Sequence, residues 1–351
     1  MKERSHLQTE IPRLVRVKPG ALDRIGAYAA RYAFRRVAVY FSDGFSLELR
    51  DRLRDTLCST GTIIAHEKAI ESIEVKTAAQ FAHEQAANVD AVIGFGGGKA
   101  LDVAKYVASL SKRPYLAIPT SLSNDGFCSP QSSLTINDKR RSMPSTVPFG
   151  VVIDTEVCLQ APPLLWLSGV GDLVAKLTAV EDWKLAFHAD GTEVNDFAAL
   201  LSDASVCQLM SRPTRDLEGM KVLGTALMLN GIAMSICGSS RPASGSEHLI
   251  SHALDANSKR PRLHGLQVGV ATYLISLLQG NQSQLIANLF EKTGFWSAIA
   301  EDPFDRKEWI EAARLAPELK SHFYTVLTSR DCLTEIRVLL DSDPWLRRCF
   351  V

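Results

Sequence analysis

The chain has 351 residues, and its 39 Lys+Arg are matched by 39 Asp+Glu, so the formal net charge is zero. That length exceeds one ordinary core and points to two packed domains of about 150 residues each. The composition, 46% hydrophobic and 22% charged, is that of a folded globular chain rather than a disordered one. No basic stretch is longer than three residues, which argues against a nucleic-acid surface; a small neutral or anionic ligand stays open, because one pocket can be basic inside a neutral whole.

The seven cysteines are odd in number, widely spread and without a CxxC pair, unlike a disulfide framework or a Cys-based zinc site. The N-terminal MKERSHLQTE is polar and lacks the apolar core of a signal peptide, so a cytoplasmic location is expected. Val222 to Ser240 carries no charge over 19 residues, but Thr225, Asn230, Ser235 and three glycines interrupt it. This reads as a buried helix of the globular fold, not as a membrane span.

In chain order, Arg13–Val17 reads as a strand, Arg24–Tyr32 as a helix, Val37–Phe41 as a strand and Leu47–Leu57 as a helix. Thr62–Ala65 is a strand, Val75–Asn88 a helix, Ala91–Phe95 a buried strand, Lys99–Ser109 a helix and Tyr115–Pro119 a strand. Such alternation specifies a parallel sheet with both faces covered. Leu134–Ile136, a polar turn at Asn137-Asp138 and a second extended run reaching Ile153 suggest a β-hairpin. Beyond Asp154 nearly every segment has helical period. The expected architecture is an α/β Rossmann-like parallel-sheet domain over residues 1–158, followed by an all-α domain over residues 159–351. The default site is the cleft at the carboxyl ends of the strands.

Gly94-Phe95-Gly96-Gly97-Gly98-Lys99 lies where a buried strand meets a helix. Gly96, Gly97 and Gly98 let backbone approach a ligand closely, and the helix N-terminus after them offers N–H groups to a phosphate. A tight structural turn explains the same glycines, since the spacing is not GxGxxG. Asp43, closing an earlier strand, suits an adenosine ribose and would repel a 2′-phosphate, favouring NAD over NADP; a plain Asp-Gly turn is the other reading.

In the helical half, Asp172 stands at a helix start, and Ser244 and Glu247 have capping-box spacing ahead of His248 and His252. Those two histidines are four apart on one helix face, and His264 follows shortly. Asp172, His248 and His264 make a plausible catalytic zinc set with an open position, although each alone has an ordinary structural explanation.

Two sets of motifs carry a resemblance. Gly96-Gly97-Gly98 with Asp102 and Lys105 (GGGxxxDxxK) resembles the superfamily of dehydroquinate synthase, glycerol dehydrogenase and the iron-type alcohol dehydrogenases. Ser123-Asn124-Asp125-Gly126-Phe127-Cys128-Ser129-Pro130, Gly171-Asp172-Leu173, Glu181–Ala186, Ser239–His248 and His264–Gly269 resemble the sn-glycerol-1-phosphate dehydrogenase family within it. The resemblance implies a dehydroquinate synthase-like fold and an NAD- or NADP-dependent, metal-dependent reduction of dihydroxyacetone phosphate. It makes Asp172, His248 and His264 the ligands of one divalent metal, expected to be Zn2+, and Asp125 and His252 the substrate-contacting catalytic residues. Thr120, Ser123 and Ser129, with Gly96, Gly97, Gly98, Lys99, Asp102 and Asp43, become the cofactor residues. Arg241 and Lys139-Arg140-Arg141 are candidates for a substrate phosphate. The partner is then a small molecule, with no nucleic acid and no membrane span, and a homo-oligomer is expected. One departure stands out: the family usually has His where Asn124 stands, which questions a proton-relay role there. The alternative within the superfamily is a dehydrogenase of glycerol, another polyol or another alcohol, for which Asn124 leaves room; a dehydroquinate synthase-like cyclase is disfavoured, because that branch pairs Glu with two His and has Gly at the place of Lys105.

Overall fold

The computed structural model describes residues 10–85, 88–320 and 322–351. Most of the polar N-terminal stretch, and the expected continuation of the third helix over residues 86–87, lie outside the described residues.

The first half alternates as expected: β1 (Leu14–Lys18), α1 (Ile25–Arg31), β2 (Arg36–Ser42), α2 (Leu47–Cys58), β3 (Ile63–Ile70), α3 (Val75–Gln85), β4 (Ala91–Gly96), α4 (Gly98–Ser111) and β5 (Tyr115–Pro119). A hairpin of β6 (Gln131–Ile136) and β7 (Lys139–Pro144) follows, then β8 (Gly150–Asp154). Six strands form one parallel sheet in the order β1-β8-β5-β4-β2-β3, with β6 and β7 as a separate antiparallel pair. The extended run expected to reach Ile153 is therefore two strands. Its polar part, Lys139–Pro144, pairs with β6, while Gly150–Asp154 enters the parallel sheet between β1 and β5. The physical reason is polarity: KRRSMP is largely exposed, whereas GVVID is buried throughout. Strands covered on both faces read as continuous apolar runs, as β4 and β8 do.

From Thr155 the chain is helical: α5 (Thr155–Gln160), α6 (Pro163–Val174), α7 (Lys176–Asp190), α8 (Asp196–Ser211), α9 (Leu217–Cys237), α10 (Ser246–Asn257) and α11 (His264–Gln279). The remaining helices are α12 (Ser283–Thr293), α13 (Phe295–Glu301), α14 (Arg306–Leu315), α15 (Val326–Ser329) and α16 (Leu333–Ser342). One apolar cluster (Leu14, Val37, Phe41, Leu53, Ile93) fills one face of the sheet. A second continues from Val92, Val103 and Tyr115 into Leu173, Leu227 and Leu274 of the helical half. This shared core fixes the strand ends against α6 and α9. Pro163–Asp190 and Leu217–Cys237 are long and apolar enough to cross a membrane, but most of the apolar window of the first and over half of the second are buried within the fold.

Candidate active site

The glycine turn closes β4 at the carboxyl edge of the sheet. Gly96 has φ +136°, a conformation that L side chains rarely adopt, and an added Cβ would lie 2.4 Å from Ser42 Oγ. That hydroxyl accepts the Gly97 N–H at 2.9 Å, so the end of β2 braces the turn and sets the exposed Asp43 beside it. No side chain caps α4, which leaves its N-terminal N–H groups available to an anion. Gly98, Asp102, Ser121, Ser123 and Asn124 line a small pocket over this helix end. Thr120 starts the loop above it, its N–H bonded to Gly96 O at 3.1 Å, and Lys99 is exposed at the rim. Ser129 faces inward: it is buried, and its hydroxyl donates to Gln131 O at 3.0 Å.

Lys105 explains the second half of the GGGxxxDxxK string. It is fully buried, lies 3.4 Å from Asp102 Oδ1 and donates to Gly126 O at 2.5 Å. It thereby clamps the 125–127 turn onto α4. Asn124 caps that turn, its Oδ1 accepting the Gly126 N–H at 2.9 Å. Where the related family usually has His, this chain has a residue whose side-chain oxygen is spent on positioning Asp125.

Asp172, His248 and His264 converge, with their ligand atoms all within 4.8 Å of one another. Asp172 Oδ1 is 3.5 Å from His248 Nε2 and 3.6 Å from His264 Nε2. A tetrahedral ion with bonds of about 2.0–2.1 Å holds its ligands roughly 3.4 Å apart, so these separations fit a divalent metal such as zinc. Both rings are fixed from behind, which leaves Nε2 facing the common centre. His248 Nδ1 lies 2.9 Å from Glu247 Oε1, and His264 Nδ1 lies 3.1 Å from Ser251 Oγ, to which Gln267 Nε2 donates at 3.0 Å. His252 sits beside the pair, its ring centroid 6.4 Å from that of His248 and 5.9 Å from that of His264.

The ligand spacing is set by a backbone crossing. A Cβ on Gly171 would lie 2.0 Å from Gly265 O, and one on Gly265 would lie 1.8 Å from Ser168 O. Only glycine allows α6 and α11 to approach so closely, and that approach brings Asp172 to His264.

Lys176, fully buried, was not singled out from sequence, although it follows Asp172 by four residues. Its Nζ lies 3.0 Å from Asp125 Oδ2 and 3.8 Å from Asp172 Oδ2, and donates to Ala243 O at 3.1 Å. Burial opposes the charge on Asp172, but Lys176, then the hydrogen bond and charge of His248, and His264 outweigh it and hold the carboxyl well below its usual range. For Asp125 burial prevails over Lys176, and with Asp172 nearby its pKa is raised. Burial, then the neighbouring imidazole of His248, pushes His264 down to about 4, so it is the neutral, ligating form at pH 7. His252 is driven well below its usual value by burial, with His264, His248, Lys320 and Arg140 adding.

Three sequence readings are corrected here. Asp172 does not stand at a helix start but in the last turn of α6, whose apolar run continues up to Val174. Ser244 does not cap the histidine helix; α10 begins at Ser246 with Gly245 as N-cap and no side-chain cap of its own. The Ser246 N–H is instead taken at 2.7 Å by Asp182 Oδ2 from α7, and the Gly245 N–H at 2.6 Å by Glu247 Oε1. A distant carboxylate displaced the local hydroxyl, which no local pattern signals. Arg241 is also committed elsewhere: it is buried, donates to Tyr324 O at 2.6 Å and stacks 3.7 Å over the Phe323 ring.

Residues 16–162 match the family model described as iron-containing alcohol dehydrogenase. Over 335 residues the chain is 36% identical to a glycerol-1-phosphate dehydrogenase [NAD(P)+] of Aeropyrum pernix, covering 93% of this chain and 94% of the relative. A relative of the same name from Methanothermobacter thermautotrophicus is 32% identical over 344 residues, covering 93% and 95%. Among solved structures, a sulfoacetaldehyde reductase from Bifidobacterium kashiwanohense in complex with NAD+ superposes with a TM-score of 0.74 at 15% identity, covering 97% of this chain and 100% of the other. A probable glycerol dehydrogenase from Sinorhizobium meliloti gives 0.73 at 16% identity, covering 96% and 98%. A parallel-sheet domain with a glycine turn, followed by a helical region, is the fold of the iron-type alcohol dehydrogenase superfamily. Within it, the chain belongs to the glycerol-1-phosphate dehydrogenase family.

Proposed function

We propose that the chain is an NAD(P)-dependent, metal-dependent dehydrogenase that reversibly reduces dihydroxyacetone phosphate to sn-glycerol 1-phosphate. The observation that carries this reading is the convergence of Asp172, His248 and His264 beside Asp125 and His252, in a chain whose full-length relatives bear that name. The bound metal supplies Lewis acidity toward the substrate carbonyl, and the nicotinamide supplies hydride.

The chain's own residues bind and orient. Gly96–Gly98 and the uncapped start of α4 receive the cofactor pyrophosphate, with Thr120, Ser123, Ser129, Lys99 and Asp102 around it. Asp43 at the end of β2 accepts from the adenosine ribose, which favours NAD over NADP. Asp125, held by Lys176 and by the Asn124 turn, accepts from a substrate hydroxyl. Neutral His252 has one donor and one acceptor nitrogen, so it can relay a proton: in reduction its N–H passes one toward the substrate oxygen as the other nitrogen takes one up from solvent, and oxidation runs the relay in reverse. Lys320 and Arg140 supply the positive charge that faces His252 and suit a substrate phosphate better than Arg241 does. A single bound Zn2+, a homo-oligomeric assembly and a cytosolic location complete the proposal.

The test compares NADH oxidation with dihydroxyacetone phosphate and with dihydroxyacetone, and determines the configuration of the glycerol phosphate formed. sn-Glycerol 1-phosphate, with loss of turnover and of bound metal in Asp172→Ala, is expected. Preference for the unphosphorylated ketone, or full turnover after thorough chelation, overturns the reading.

A further inference from the structure

Glu247 is fully buried, and each of its oxygens has a donor: Gly245 N–H at 2.6 Å and His248 Nδ1 at 2.9 Å on Oε1, Thr178 Oγ1 at 2.9 Å on Oε2. Adjacent residues on a helix do not ordinarily face each other. Here they meet because Glu247 lies in the first turn and folds back over the N-cap, where Gly245 leaves room; a Cβ on Gly245 would lie 3.0 Å from Glu247 Oε2. Thr178 on α7 then fixes the far oxygen, so the carboxylate cannot rotate away from the imidazole.

The charges around it do not balance. Among the described residues, Asp125 and Asp172 share one fully buried ammonium, that of Lys176, at 3.0 Å and 3.8 Å, while Lys105, also buried, pairs with Asp102, and Asp182 adds a further buried carboxyl beside Glu247. Burying an acid short of cations is costly unless another positive charge joins the group. A divalent ion among Asp172, His248 and His264 is such a charge, one imidazole away from Glu247.

We propose that Glu247 is a positioning residue for the metal: its carboxylate accepts the His248 Nδ1–H, which fixes the ring and the tautomer that presents Nε2, and its negative charge strengthens metal binding. The inference rests on the metal reading above. A ligating histidine held this way loses about 10–100-fold in metal affinity when the supporting carboxylate is removed.

The experiment uses the full chain stripped of metal and titrated with Zn2+ against a chromophoric chelator, and with Co2+ followed by its visible absorption. Glu247→Gln keeps the size and one accepting oxygen for Gly245 and His248 and removes the charge, the second oxygen becoming an NH2 that Thr178 Oγ1 can accept from. It is expected to weaken Zn2+ by about 10–100-fold and to alter the Co2+ spectrum, while the circular dichroism of the metal-free protein and its NADH affinity stay at the wild-type values. Zn2+ affinity within twofold of wild type overturns the proposal. Should Glu247→Gln fail to fold, Thr178→Val frees Oε2 and carries the test: weaker Zn2+ binding is expected, and unchanged binding overturns it. Asp172→Ala separates the two failures. If it too binds Zn2+ like wild type, the metal reading falls; if it loses Zn2+ while Glu247→Gln does not, only the role of Glu247 falls.

Discussion

Replacing Lys176 with Met tests the charge logic of the site most directly. The side chain is fully buried, its ammonium lies 3.0 Å from Asp125 and 3.8 Å from Asp172, and it donates to Ala243 O at 3.1 Å. Methionine fills most of the same volume, so the loss is chiefly of charge and of one hydrogen bond. Removing one partner of a buried ion pair costs about 3–5 kcal/mol, because the other charge stays buried and uncompensated. Here two carboxylates are left behind, which puts the expected loss in metal-free protein at the upper end of that range. With the metal bound, the ion compensates the same carboxylates, so saturating Zn2+ recovers part of the loss and the variant binds Zn2+ more tightly than wild type. Urea denaturation with chelator and with excess Zn2+ reads both numbers. A loss below about 1 kcal/mol in the metal-free protein, far short of a broken buried pair, or an equal loss in both states, refutes the reasoning.

Gly265→Ala drives a Cβ against Ser168 O, where the ideal position is 1.8 Å away, so α6 and α11 must separate. A loss of roughly 3 kcal/mol or more is expected together with weaker Zn2+ binding, since Asp172 and His264 ride on the two helices; equal Tm and equal metal affinity contradict it. Burial, with Glu247 adding, raises Asp182 to about 6 from 3.8. A raised carboxyl pKa contributes stability that is fully present below the unfolded value and is lost as pH rises through the folded one. Wild type should therefore lose roughly 2–3 kcal/mol relative to Asp182→Asn between pH 4 and pH 7, read from urea unfolding across that range; parallel curves count against it. Asp43→Ser removes the charge beside the glycine turn and should raise kcat/KM for NADPH relative to NADH by about tenfold, or about 1.4 kcal/mol; an unchanged ratio places Asp43 outside the ribose site.

Much of the architecture is a local property of the chain. Continuous apolar runs such as Ala91–Phe95 and Tyr115–Pro119, alternating with helical periods, specify a covered parallel sheet because such strands can be buried only that way. The glycine turn, the spacing of His248 and His252, and the helical texture after Asp154 are likewise readable residue by residue. Other features depended on contacts across the fold. The extended run reaching Ile153 was split because the polar Lys139–Pro144 found an exposed edge and the apolar Gly150–Asp154 a covered place in the sheet. The Ser244 cap failed because Asp182, 64 positions from Ser246, reached its N–H first. The surroundings of Lys176 and Glu247 lay hidden for the same reason: a charge signals a site only through what surrounds it, and Asp125 and Thr178 come from other elements. Sequence by itself determined which residue types the site contains and where they lie along the chain. Their separations, about one metal-ligand edge between Asp172 and each histidine, were decided only by the glycine-on-backbone crossing of α6 and α11 and by the Glu247 carboxylate and Ser251 hydroxyl that hold the two rings from behind. Local pattern fixes the direction in which a side chain leaves the backbone, but only packing fixes the distance to the next one.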